Sequence, residues 1–161
     1  MKKIFIFLTI LGVLLSGCFL LDPPMNDGEE TYFYMADTNG ISGTTFHSGE
    51  SFNMEFCLTN TSEDSLDFTM YDGGPFVRFA IYQDDQYIAG SMDGVPVPEP
   101  VLDFKFTPGD SMTNTWLAPT TPWQDPLVTL SPGEYRAIVD FPQFVDLQTD
   151  TIGTIDFTVI E

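Results

Sequence analysis

Residues 52–58 carry apolar side chains at every second position: Phe52, Met54, Phe56 and Leu58, with Asn53, Glu55 and Cys57 between them. Period two over this length predicts a half-buried β-strand. The same alternation returns in Leu66, Phe68 and Met70, and again in Ile155, Phe157 and Val159. Denser apolar runs at 76–82 and 135–141, a return strand at 87–91, and segments 101–107 and 111–116 complete the series. Turn formers separate them: Asn60-Thr61-Ser62-Glu63-Asp64, Gln83-Asp84-Asp85-Gln86, Pro108-Gly109-Asp110 and Ser131-Pro132-Gly133. No segment holds a helical period. Short strands at near-regular spacing predict an all-β fold, one antiparallel β-sandwich domain over residues 31–161.

Leu130-Ser131-Pro132-Gly133-Glu134-Tyr135 narrows the expectation. A Leu before a Pro-Gly turn, with a Tyr just inside the next strand, resembles the tyrosine corner of immunoglobulin-like sandwiches, whose phenol bonds nearby backbone. The expected fold is therefore an immunoglobulin-like β-sandwich. If successive strands simply alternate in direction, the tight links 60–64, 83–86 and 108–110 share one end with the incoming chain. The longer links 37–50, 71–75, 92–100 and 118–126 share the other. Residues 143–151 are assignable to neither.

The first twenty residues follow a different rule. Lys2 and Lys3 precede residues 4–15, which are apolar apart from Thr9 and Gly12. Charge followed by a short apolar run is the pattern of a secretory signal. Twelve helical residues rise only about 18 Å, too short for a hydrocarbon core of roughly 30 Å. Next comes Leu15-Ser16-Gly17-Cys18, which resembles a bacterial lipobox. That resemblance implies removal of residues 1–17 and a diacylglycerol and acyl chain (palmitate, for example) on Cys18. Buried acyl methylenes contribute about 0.8 kcal/mol each, enough to hold a protein on a membrane. Residues 18–30, with Pro23, Pro24 and Gly28, read as a tether. The expected location is the cell envelope, anchored on the non-cytoplasmic side.

Charge excludes one class of partner. All 24 acidic residues lie after Cys18, where only Arg78, Lys105 and Arg136 are basic. Such a field repels phosphate backbones, so no nucleic-acid partner is expected. It fits either a basic partner or a protein kept soluble in high salt. Fifteen Phe, six Tyr and two Trp supply the apolar mass that disordered acidic chains lack. With Cys18 acylated, Cys57 has no intramolecular disulfide partner, and it reads as a part-buried free thiol.

Catalytic chemistry is sparse. His47 is the single histidine, expected in a Gly/Ser/Thr-rich loop, and offers neither a triad nor a zinc site. Asp84-Asp85 lacks the spacing of a calcium loop and reads as a solvated hairpin turn. Asn60-Thr61-Ser62 fits a glycosylation sequon and reads as a turn. No catalytic residue, cofactor or metal is expected.

Taken in order, four segments carry a family resemblance. They are Phe56-Cys57-Leu58-Thr59-Asn60-Thr61-Ser62; Phe79-Ala80-Ile81-Tyr82-Gln83-Asp84-Asp85-Gln86; Phe106-Thr107-Pro108-Gly109-Asp110-Ser111 before Trp116; and Leu130-Ser131-Pro132-Gly133-Glu134-Tyr135. Over residues 50–140 the chain resembles the intracellular proteinase inhibitor domain of the BsuPI type. The resemblance implies an immunoglobulin-like sandwich and a role in binding a serine protease.

These readings converge on a non-catalytic binding protein of the envelope, whose partner is a protease or another envelope protein. Proteinase inhibition is the alternative. The expected binding surface is the long-loop end, carrying Met92, Val95, Val97 and Trp123 on Pro-stiffened segments that lose little entropy on binding. Trp123 either anchors a partner there or folds back over the core.

Overall fold

Phe52, Met54, Phe56 and Leu58 all turn inward, as the alternation requires, and none is more than 1% exposed. The computed structural model describes residues 29–70, 76–96, 102–121, 123, 127–142 and 149–161. The expected signal, Cys18 and residues 19–28 of the expected tether lie outside them, as does Val97. The described residues form ten strands: β1 (Glu29–Asp37), β2 (Thr45–His47), β3 (Phe52–Asn60), β4 (Leu66–Met70), β5 (Arg78–Gln83), β6 (Gln86–Gly90), β7 (Leu102–Phe106), β8 (Ser111–Ala118), β9 (Gly133–Pro142) and β10 (Thr149–Ile160). No described residue is helical. β1 begins at Glu29, so it takes the last two residues expected of the tether.

One sheet runs β1-β3-β8, a second β2-β10-β9-β5-β6, and β4 pairs with β7 in a separate two-stranded ladder. Among the described residues all strand pairings are antiparallel except one: β2 runs parallel to β10, with Val159 opposite Phe46. The two larger sheets face each other across a shared aromatic core. Phe33 of β1 meets Phe79 of β5 at 6.1 Å between ring centres. Phe52 of β3 stacks on Phe46 of β2 at 4.4 Å and meets Phe157 of β10 edge-on at 5.3 Å. Tyr135 stacks on Phe157 at 5.4 Å. Offset and edge-on aromatic pairs add about 0.5–1.5 kcal/mol each beyond the area they bury. Tyr135, 5% exposed, donates its hydroxyl to the Ser131 carbonyl at 2.8 Å, the bond expected of a tyrosine corner.

Asn60 closes β3 and joins two turns to the end of β7. Its side chain is fully buried. Nδ2 donates to the carbonyls of Asp64 (2.8 Å) and Phe106 (3.0 Å), while Oδ1 accepts from the N–H and hydroxyl of Ser62 (3.0 and 2.7 Å). Its main chain exchanges bonds with the 107–110 turn, through Asp110 O (2.9 Å) and Gly109 N (2.8 Å). Pro108 and Gly109 (φ +85°) fit a type II turn, closed by Asp110 N on Thr107 O. The amide is committed to protein groups, so the sequon is a structural turn, as the sequence indicated.

The direction of the strands differs from simple alternation. At one end of the molecule Glu29 lies opposite Asn60, and Thr59 opposite Ser111; at the other, Asp37 and Ala118 flank Phe52. The links 60–64 and 108–110 do share the Asn60 end with the incoming chain. The hairpin 83–86 does not. Gln83 abuts Gly133, next to the Tyr135–Phe157–Phe52 stack, whereas Phe76, just before β5, packs on Phe106 at 6.0 Å. β5 therefore runs from the Asn60 end to the Phe52 end, and β6 returns. The reason is that β4 and β7 belong to neither large sheet. Counting them as sheet strands inverts the direction of β5 and β6; leaving them out restores strict alternation from β3 to β10. Pro142 and Thr149, which pair across the β9–β10 link, fall at the Asn60 end by the same count.

Replacing Asn60 by Ala removes four side-chain hydrogen bonds, one of them to the buried Phe106 carbonyl. Denaturant unfolding should show a loss of about 3 kcal/mol; a loss under about 1 kcal/mol would mean the turns hold without it. The adjoining turn carries a pH signature. Thr107 donates to Asp110 from its hydroxyl and its N–H (2.8 and 2.7 Å), and these bonds hold the Asp110 carboxyl below its usual 3.8. A lowered folded value means the stabilisation is whole above the unfolded value and disappears as pH falls through the folded one. The urea midpoints of the native protein and Asp110→Ala should differ at neutral pH and draw together as pH falls below about 3.8, meeting only below the lowered folded value; a gap that persists in stronger acid would contradict this.

Candidate functional site

Two open clefts, each of about 400 Å³, mark the described surface. The first is acidic. It forms where the 83–86 hairpin overhangs β9 and β10, and Tyr82, Asp84, Asp85, Glu134, Tyr135, Arg136 and Asp156 line it. Tyr82, Arg136 and Asp156 are neighbours across β5, β9 and β10. Arg136 Nε bonds Asp156 at 3.0 Å, and Nη1 lies 3.8 Å from Asp85, whose side chain is 94% exposed. Exposed pairs of this kind contribute under about 1 kcal/mol. Asp84 and Asp85 both sit at positive φ, +49° and +61°, which fits a type I′ hairpin turn. Asp tolerates that region at a cost that Gly does not incur. The pair is thus a solvated turn, as its sequence indicated.

The chemistry of this cleft is limited. It holds four carboxylates and one guanidinium already bound to two of them, with no histidine, cysteine or hydroxyl nucleophile apart from the tyrosines. Among the described residues no group of three or more His, Cys, Asp or Glu is placed to hold a metal ion. His47 lines neither cleft. It stands exposed on strand β2 rather than in a loop, with Nδ1 at 2.7 Å from the Glu161 carbonyl oxygen. Cys57 is a half-buried free thiol.

The second cleft is mostly apolar and runs beside β8. Thr115, Trp116, Leu117, Thr120, Thr121 and Leu127 line it. β8 turns Met112, Trp116 and Ala118 inward, so Leu117 faces out and is 52% exposed; Leu127 is 69% exposed. Trp116 is buried, and its indole N–H donates to Thr120 O at 3.0 Å, which folds the departing chain back along the strand. Thr121 Oγ1 then donates to Asp93 O at 2.6 Å. Gly94, at φ +68°, faces the Trp123 main chain so closely that an added Cβ would lie 2.8 Å from its carbonyl oxygen. Asp93 is held in turn by Tyr87 OH and Gly90 N. Burial first, and Asp93 second, push the Tyr87 hydroxyl well above its usual pKa.

These contacts place the residues expected in binding loops. Met92, Val95 and Trp123 come together, with Met92 and Val95 half-buried and Trp123 66% exposed. Trp123 therefore does not cover the core. The trio lies along the β6 and β8 edges rather than with 37–50 at one common end, because β6 returns to the Asn60 end before Met92. Sequence reasoning missed Leu117 and Leu127. Leu117 had a signal: it is a large apolar residue out of phase with Met112 and Trp116. Leu127 had none.

No known protein family matches this chain, and no curated protein does. Similar solved structures are distant. A β-glucosidase from Listeria innocua in complex with glucose aligns with TM-score 0.44 at 11% identity, over 81% of this chain and 16% of its own. The alkylpurine DNA glycosylase AlkC of Pseudomonas fluorescens, bound to DNA containing an abasic site analog, gives 0.40 at 12% identity over 82% and 30%. The β-glucosidase EmGH1 from Erythrobacter marinus gives 0.39 at 11% over 82% and 16%. The chain thus spans about a sixth of each glucosidase and under a third of the glycosylase. Scores at this level do not establish a common fold.

The hairpin yields a direct test. Asp85→Gly should raise stability by about 1 kcal/mol, since Gly adopts positive φ freely and the lost ion pair is exposed. An unchanged or lower urea midpoint would contradict the strain assigned to Asp85.

Proposed function

We propose that the protein is a non-catalytic binding protein of the cell envelope, an immunoglobulin-like β-sandwich held to a membrane by lipid on Cys18. One observation carries the anchoring half: Lys2-Lys3, the apolar run and Leu15-Ser16-Gly17-Cys18 stand in the order an exported lipoprotein needs. The immunoglobulin-like reading is supported by the order of the strands. β1 pairs with β3 in one sheet, while β2, the next piece of chain, crosses to run parallel to β10 in the other. The Tyr135–Ser131 bond supports it further. The acidic cleft, with its guanidinium engaged and no nucleophile–base pair, favours binding over catalysis.

A second reading, proteinase inhibition, rests on the order of the four BsuPI-like segments, which fall on β3, the β5–β6 hairpin, the β7–β8 turn and the start of β9. Absence of stoichiometric inhibition of a subtilisin-type protease by the full-length protein would remove it.

Cells expressing the full chain and fed labelled palmitate should mark the product, and Cys18→Ser should abolish both the label and sedimentation with membranes. An unmarked native product would overturn the anchor.

A further inference from the structure

β8 is an outer strand of its sheet, and no described residue pairs with its free edge. Such an edge presents a row of N–H and C=O groups that proteins usually blunt with charge, proline, bulges or brevity. β8 uses none of these. Its sequence, Ser111-Met112-Thr113-Asn114-Thr115-Trp116-Leu117-Ala118, has no charged residue and no proline. It pairs with β3 in unbroken register from Ser111 to Ala118. The other outer strands are guarded. β1 carries Glu29, Glu30 and Asp37; β2 has three residues; β6 has five; and the β4–β7 ladder carries Asp67, Asp103 and Lys105.

Three residues of this strand, Thr115, Trp116 and Leu117, line the apolar cleft together with Thr120, Thr121 and Leu127. A strand that can offer main-chain bonds, with a side-chain pocket beside it, is what an incoming extended peptide requires. The cleft's borders set the sign of the visitor. Glu55, which accepts from Thr115 at 3.3 Å, puts a carboxylate beside it. The chain as a whole carries 24 acidic against 5 basic residues. A second copy would bring an equal negative charge to the same edge, whereas a cationic chain is drawn in by the field.

We propose that β8 and the Leu117–Leu127 cleft dock an extended segment of another protein in which apolar residues alternate with Lys or Arg, added as a further strand beside β8. This rests on the binding reading above and gives it a site and a partner chemistry.

The test titrates full-length protein in neutral detergent with the synthetic peptide (Lys-Val)4, read by calorimetry and tryptophan fluorescence. Saturable one-to-one binding is expected. Leu117→Gln with Leu127→Gln, both at exposed positions, should weaken it about tenfold or more. A peptide N-methylated at alternate residues keeps its charge but loses its donors, and should bind no better than the double variant does. The peptide (Glu-Val)4 should not bind. No binding by (Lys-Val)4, or equal binding by its N-methylated form, would overturn the proposal in favour of a diffuse field. A concentration-dependent dimer dissolved by the two Leu substitutions would assign the edge to a second copy and also overturn it. Palmitate labelling is independent of these outcomes, so failure here leaves the anchor standing.

Discussion

A fully buried amide with every hydrogen bond made inside the protein holds one end of this molecule together. An amide removed from water without partners costs several kcal/mol, so Asn60 fixes whatever surrounds it. Here that is the end of β3, the end of β7 and the turn into β8. With those points fixed, β4 and β7 pair with each other outside the two large sheets. Strand direction in the rest of the molecule follows from that exclusion. β5 and β6 run as they do because the chain makes its detours through β4 and β7 on either side of them. The aromatic stack of Phe46, Phe52, Phe157 and Tyr135 then closes the opposite end.

Much of this was legible in residue order and some was not. Phe52 to Leu58 announced β3 because a strand with one face buried must alternate, and that face carries the core. Tyr135 announced its own hydrogen bond through the Pro-Gly turn before it. β2 was hidden, since three residues cannot show a period; only Phe46, deep in the core, marks it. β10 extends well before the alternation of 155–159, because a bulge between Thr151 and Gly153 shifts the phase. Most costly was the assumption that every strand belongs to a main sheet. Nothing in the composition of β4 and β7 distinguishes them from sheet strands, and that placement is settled by Asn60, whose burial no local pattern reveals.

The candidate site shows the same division. Met92, Val95 and Trp123 were recognisable as stiff, apolar loop residues, but the approach of their two segments depends on Thr121, Asp93 and the positive φ of Gly94. Those are long-range facts. The acidic cleft was legible only as a surplus of carboxylates; the hairpin overhang that makes it concave comes from the direction of β5. Leu117 illustrates what phase alone can tell. On a strand whose neighbours Trp116 and Ala118 face the core, an outward Leu is an anomaly visible without coordinates.

The ladder joining β1, β3 and β8 also has a mechanical meaning. The incoming chain enters at Glu29, on the outermost strand of that sheet. A pull along the strands, between that point and the Ala118 end of β8, is borne in shear by rows of backbone bonds lying across it. Because such rows share strain along their whole length, the sheet resists sliding without loading the aromatic interior. The domain would act as a flat buckle, with the second sheet free of the force.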